Sequence, residues 1–348
     1  MKSLHVVVPG LLGPFSDALP VYIQQQLQQS EFRQINNVLS RAKITSNAVQ
    51  SNLFETLVNL IHPQCELSLC QLTAAYDELD TSDGFYYRAD PVHFKAESDH
   101  AILIGTDLVQ PNRQEAQQLI ESFNLHFLED NLSLHFTSEN RWYLKSENSL
   151  DLSFTSLDYA LGRDIKHFMP QDTSQNKPQE GDALWWRKVL NEAQMLFFQH
   201  AANQNREQSG GLAINGLWLW DMQARAVVGE QNKIDLLFSD DVLAIALANQ
   251  SNIDIKPTDE IENIISSSVL VLDSLYESVC YGDVDAWLNA LMVFAENEFK
   301  KILFLLSSKK VDEIKLYPCT GKVITVNRLD LLKFWKTSIT IDEFISIS

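Results

Sequence analysis

Apolar and polar positions change their period several times along the chain, and each change predicts an element. Leu4–Val8 is a short β-branched apolar run stopped by Pro9-Gly10, which predicts a buried first strand and a turn. Helical spacing follows over about Leu19–Gln29 and Ala48–Ile61, with Leu53, Leu57, Leu60 and Ile61 on one face of the second. A third helix, about Glu66–Leu79, runs into the acidic, Gly-terminated stretch Asp77 to Gly84, a domain boundary by composition. Phe85–Phe94 has strand character interrupted at Asp90-Pro91, and Ala101–Gly105 is a further strand. Asn112 with Glu115 three places on makes a capping-box pattern; it opens a helix that turns Ala116, Leu119, Ile120 and Phe123 inward. Leu132, Leu134 and Phe136 alternate with polar neighbours and take Arg141–Leu144 as a partner strand. Gly84–Phe168 therefore reads as a small α+β unit, and the polar stretch Gln171–Gly181, with Pro178, as a connector.

The second half opens with a helix over about Asp182–Gln199, its stripe made of Leu184, Trp185, Val189, Ala193, Leu196 and Phe197. An amide-rich segment, a Gly210-Gly211 turn and an apolar strand carrying Trp218 and Trp220 come next. Helices are expected at about Asp241–Ala248, Asp259–Ser267 and Val284–Leu306, and a short one opened by Asn327. Val269–Leu272 is a fully apolar run of the kind that forms a buried parallel strand, and Glu313–Tyr317 and Lys322–Val326 are further strands. This alternation predicts a mostly parallel sheet wrapped by helices. The domain plan is a core from residues 1–83 and 182–348, with 84–181 inserted between its parts.

Composition narrows the function classes. A hydrophobic content of 45% over 348 residues is that of a globular chain with one large domain or two. The net charge of −19 excludes the electrostatic footprint of a nucleic-acid binder and disfavours an anionic membrane surface. No apolar run reaches the ~18–20 residues that span a bilayer, and Leu4–Val8 is too short for a signal peptide. Cys65, Cys70, Cys280 and Cys319 form no Cys-x-x-Cys pair, so a reduced, cytoplasmic protein is expected.

Candidate chemistry concentrates in the middle third. The loop Pro9-Gly10-Leu11-Leu12-Gly13-Pro14 sits where α/β sheets place sites, yet it offers no charged or nucleophilic side chain. Arg88, Asp90 and His93 stand close together, as salt-bridge residues or as a weak metal-ligating pair with an arginine. Asn191 and Glu192 lie in mid-helix, on a solvated face or in a site. Arg206, Asn215, Trp218 and Trp220 follow, and Arg88 with Arg206 suits an anionic ligand held by bidentate hydrogen bonds.

The stretch Ile214-Asn215-Gly216-Leu217-Trp218-Leu219-Trp220 resembles the Asn-x-x-Trp-x-Trp-Gly segment of archaeal-type cofactor-independent phosphoglycerate mutases. The whole chain resembles, more closely, a bacterial phosphoglycerate-mutase-like family often labelled a regulatory protein. That likeness rests on Ala89-Asp90-Pro91-Val92-His93, Arg141-Trp142-Tyr143, Leu190–Met195 and Asn203–Glu207, in addition to the tryptophan strand. Asp221 stands where the family has glycine. The resemblance implies an alkaline-phosphatase-like α/β core, its mostly parallel sheet flanked by helices, with an inserted α+β cap domain. It also implies a site where two divalent metals activate a nucleophile and clamp a phosphoryl group.

The metal-ligand positions that the resemblance implies are altered here. Pro9-Gly10 replaces an Asp-Gly at the end of the first strand, and Tyr276 and Cys280 replace an Asp and a His ahead of Gly282-Asp283. Leu316–Gly321 holds neither Asp nor His where a Gly-Asp-His is expected, and all eight histidines lie at or before His200. Cys280 with Asp273 or Asp283 retains the donor types for one soft or borderline metal.

The leading expectation is a regulatory or ligand-binding protein without the dinuclear site, needing no cofactor. Its partner would be a phosphorylated or other anionic small molecule, or a protein. The alternative is an active phosphotransferase with an altered site, using Mn or Zn, whose polar residues converge on a cleft by the tryptophan strand. In a third reading the same residues only fix the cap to the core.

Overall fold

The computed structural model describes residues 2–14, 19–46, 52–61, 67–173, 181–224, 234–264, 266–336 and 339–347. Cys65, Pro178 with most of the polar connector, and the start of the helix expected from Ala48 lie outside the described residues. Two compact units divide the chain: residues 1–66 with 224–348, and the continuous insertion 67–223.

The first unit begins with β1 (Ser3–Val7), α1 (Val21–Leu27), α2 (Arg33–Arg41), β2 (Lys43–Ser46) and α3 (Leu53–Ile61). The insertion supplies α4 (Leu69–Tyr76), β3 (Phe85–Ala96), β4 (Ala101–Ile104), α5 (Arg113–His126), β5 (Leu132–Ser138) and β6 (Arg141–Ser146). It ends with α6 (Asp182–Gln199), α7 (Ala201–Gln208) and β7 (Gly216–Trp220). Back in the first unit stand β8 (Leu236–Phe238), α8 (Val242–Gln250), β9 (Asp254–Lys256) and β10 (Ser268–Val271). The chain closes with α9 (Val284–Glu296), α10 (Glu298–Ser307), β11 (Glu313–Tyr317), β12 (Lys322–Asn327) and α11 (Ile341–Ile347).

The seven strands of the first unit lie in the order β9-β8-β10-β1-β11-β12-β2. The pairings from β9 to β11 are parallel, and β11–β12 and β12–β2 are antiparallel. This is the mostly parallel, helix-flanked α/β sheet that the alternation of periods predicts. Successive side chains leave a strand on opposite faces, so each strand sorts its own residues. Leu4, Val6, Leu270, Ile314, Leu316, Ile324 and Val326 join one core with Ile23, Leu39, Trp287, Phe294 and Ile302 of α1, α2, α9 and α10. On the opposite face α3 packs on β1 and α8 on β8.

In the inserted unit β3 is the hub of an antiparallel sheet. It pairs with β6 over Phe85–Arg88, with β7 over Arg88–Val92 and with β4 over His93–Ala96. The strand therefore runs through Asp90-Pro91, where the sequence reading has it interrupted. The Val92 carbonyl accepts from Asn215 N–H on the β7 side, so Pro91 faces the other side. There the β6 ladder has ended at Arg88 and the β4 ladder has not begun, so the missing N–H of proline breaks no ladder bond.

The unit boundaries also differ from the expected 83/84 and 181/182. Helix α4 packs on β3, and α6 packs on β7 and α5, which puts both helices and the tryptophan strand in the inserted unit. The buried stripe of α6 keeps Val189, Ala193 and Phe197 of the expected face and takes Ala183, Trp186 and Leu190 in place of Leu184, Trp185 and Leu196. The long helix expected over Val284–Leu306 is two, broken at Asn297 with φ −103° and ψ −76°. Among the described residues no helix is long and apolar enough to cross a membrane.

Candidate functional site

Two places answer to the expected chemistry, one in each unit. The first is the carboxyl edge of the parallel strands, where open α/β sheets hold ligands. Past β1 the chain turns at Gly10, φ +84°. A Cβ there would lie 2.9 Å from the Leu275 carbonyl oxygen and 2.9 Å from Val279 Cγ2. Trp287 Nε1–H donates to the Gly10 carbonyl at 2.8 Å, so this turn is packed shut against apolar neighbours.

Past β8, Asp240 accepts from Thr258 Oγ1–H at 2.7 Å, and Asp241 accepts from Ala244 N–H as the N-cap of α8. Past β10, Asp273 is exposed. Asp283 is an N-cap too, accepting from Ala286 N–H at 2.9 Å. Past β11, Cys319 is buried at φ +61°, and burial pushes its thiol up to about 12. A thiol that stays protonated is a poor nucleophile. Among the described residues no three His, Cys, Asp or Glu side chains stand together as a metal group.

The second place is the polar set of the inserted unit. Residues 88 and 90 leave β3 on one face, and Arg88 there donates to Asp90 through Nε at 3.1 Å and Nη2 at 2.8 Å. The guanidinium carbon lies 5.3 Å from the Trp220 ring centroid and 5.6 Å from that of Tyr143, a cation held between two aromatic faces. Trp220 Nε1–H donates to the same carboxylate at 2.8 Å, and Trp142 N–H reaches it where the β6 ladder has ended. Burial opposes the charge on Arg88, and Asp90 outweighs it, so the cation persists. His93, three residues on from Asp90, leaves the opposite face; its Nδ1 is 2.8 Å from the Ala213 carbonyl oxygen.

The remaining residues fall into separate groups. Asn215 accepts from Phe94 N–H at 2.7 Å and donates to the Phe94 carbonyl at 3.1 Å, standing in for a ladder pair. Trp218 Nε1–H donates to the Thr155 carbonyl at 3.0 Å. Arg206 donates to the Leu212 carbonyl at 2.8 Å, to the Val109 carbonyl and to Glu115 at the start of α5. Asn191 and Glu192 lie on the exposed side of α6, where Glu192 pairs with His126 at 3.1 Å. The structure thus joins Arg88, Asp90 and Trp220, leaves Asn191 on an exposed helix face, and gives His93, Glu192, Arg206, Asn215 and Trp218 separate partners.

Two anchors of this unit were missed by the sequence reading. Asp77 accepts from Arg141 Nε at 3.0 Å and Nη2 at 2.6 Å, and from the Thr137 and Tyr143 hydroxyls at 2.9 Å each. Burial opposes the charge on Asp77, and these donors, Arg141 foremost, hold its carboxyl below the usual range. Asp221 accepts from Ser68 Oγ at 2.8 Å and from Cys70 N–H at 2.9 Å in the first turn of α4, a carboxylate at a helix N-terminus. The only sequence signal for Asp221 was that it replaces glycine.

No protein-family model and no curated protein sequence matches the chain. A cofactor-independent phosphoglycerate mutase from Thermoplasma acidophilum superposes with a TM-score of 0.39 at 15% identity, over 100% of this chain and 98% of that one. The PH0037 protein from Pyrococcus horikoshii superposes with a TM-score of 0.51 at 11% identity, over 99% of this chain and 96% of that one. At that identity the likeness to the Pyrococcus protein is one of fold.

Proposed function

We propose that the chain is a phosphoglycerate-mutase-like protein that works without the dinuclear metal site, as a regulatory or ligand-binding protein of the cytoplasm. The observation that carries this reading is the closed turn at Gly10. Where the resemblance implies a metal-binding Asp-Gly, Pro9 brings no side-chain donor, and the turn is filled by Leu275 and Val279. The other implied positions do not fit metals either. The segment Leu316–Gly321 brings neither Asp nor His, Asp283 caps α9 through Ala286 N–H, and no histidine follows His200.

A phosphotransferase with an altered site is the competing reading, and one pair of assays separates the two. Interconversion of phosphoglycerates and hydrolysis of p-nitrophenyl phosphate are measured with added Mn²⁺ or Zn²⁺, and phosphorylated metabolites are screened by thermal shift without metal. The proposal expects no metal-dependent turnover and stabilisation by a phosphorylated metabolite through preferential binding to the native state. Metal-dependent turnover that is lost in Asp273→Asn or Cys280→Ser would overturn it.

A further inference from the structure

Among the described residues, one half of the sheet in the first unit has no helix packed on its second face. Helices α3 and α8 pack against β1 and β8. Beyond them, β11, β12 and β2 line a groove of about 940 Å³ that no other described element covers. Lys315, Thr325 and Lys43 are register neighbours on these three strands, so they form one row across the groove floor. Strands lie about 4.8 Å apart, which sets the two lysine stems about 10 Å apart with the threonine hydroxyl between them. Arg41, Lys333 and Lys336 line the same groove at its end.

The charge of this groove is opposite to that of the chain. Five cations face two acids, Glu313 and Asp330, on a protein of net charge −19. Glu313 lies 3.5 Å from Lys315, and Asp330 pairs with Lys333. Among the described residues Lys43 and Lys336 have no carboxylate partner. Arg41 spends Nη1 on the Leu331 carbonyl at 2.8 Å, and its buried Nε–H has no partner. Cations that line one groove, with unspent donors, are stabilised by an anion bound there.

We propose that this groove binds a soluble, phosphate-bearing small molecule, its phosphate lying over the Lys315-Thr325-Lys43 row. A small anion meets only the local positive field, whereas an extended anionic surface also meets the acidic remainder of the chain. The site is separate from the sheet edge near Gly10, and it stands whether or not that edge is metal-free.

The test titrates the full chain with inorganic pyrophosphate by calorimetry at low ionic strength, in parallel with sedimentation on phosphatidylserine–phosphatidylcholine vesicles. Lys43→Glu/Lys315→Glu is compared with Arg187→Glu/Lys300→Glu, an equal charge change at exposed positions outside the groove. Circular dichroism and melting temperature establish that each variant is folded, and Lys43→Gln/Lys315→Gln serves if charge reversal is not tolerated. Pyrophosphate binding that weakens about tenfold or more in the groove variant and less than about twofold in the control supports the proposal. Equal weakening in both variants, or no pyrophosphate binding by the wild-type chain, overturns it. Vesicle binding lost in the groove variant, without pyrophosphate binding, also overturns it in favour of a lipid headgroup.

Discussion

Arg88 and Asp90 show what a buried ion pair contributes. The carboxylate is fully buried and the guanidinium lies between two rings, so either charge left alone would have no water to turn to. Asp90→Ala should therefore cost about 3–5 kcal/mol in urea unfolding, whereas Arg88→Met/Asp90→Leu, which removes both charges, should cost less than that single change. A double variant less stable than Asp90→Ala would contradict this. The sequence placed these residues near one another because they lie two apart on one strand. Trp220, 130 positions away, became their partner only through the β3–β7 register, which no local pattern encodes.

His5 makes a pH prediction at the same scale. Burial, helped by Lys315, holds its imidazole down at about 4, below the ordinary 6.5. Its Nδ1 lies 2.8 Å from the Tyr317 hydroxyl and its Nε2 3.1 Å from Ser3 Oγ, partners for a neutral ring. The unfolded chain takes up this proton below pH 6.5 and the folded chain does not. Stability is therefore full above about 6.5, falls as pH drops towards 4 by about 3 kcal/mol in all, and levels off below that. His5→Asn should flatten the acid limb of a urea-midpoint profile by that amount; an unchanged limb would show that His5 is not its source.

At the scale of elements, β3 holds the inserted sheet together by changing partners along its length. Asn215 extends that pairing past the end of β7 by engaging both backbone groups of Phe94. Asn215→Ala leaves these groups without their partners and should lower stability by about 1–3 kcal/mol, read as a drop in urea midpoint. If pyrophosphate affinity fell in place of stability, Asn215 would belong to a ligand site. Elements with a strong period and a cap were legible: α5 has the capping box and the four buried positions that the sequence assigns it. Elements without a period were not. All four residues of β2 are exposed, so it carries no alternation, and it is a strand only because β12 pairs with it. Helix α6 has apolar residues on more than one face, and its burial frame is chosen by β7 and α5.

For the whole molecule, the sheet and the existence of an inserted α+β unit were readable, because the change from parallel to antiparallel pairing follows a change in sequence period. The unit boundaries were not, since the helices that join the insertion carry stripes that would suit either sheet. The charge distribution belongs to this scale too. A net charge of −19 describes the surface as a whole, and only the fold gathers Arg41, Lys43, Lys315, Lys333 and Lys336 into one groove.

The metal-free reading depends on how the carboxyl edge of the sheet is filled, which elemental analysis addresses directly. The chain, expressed with Mn²⁺ and Zn²⁺ supplied and then gel-filtered, is measured by inductively coupled plasma mass spectrometry. The account predicts well under about 0.1 metal ion per chain, because the described residues at that edge do not form a closed donor set. A content near two ions per chain, lost together with phosphotransferase activity on chelation, would contradict it.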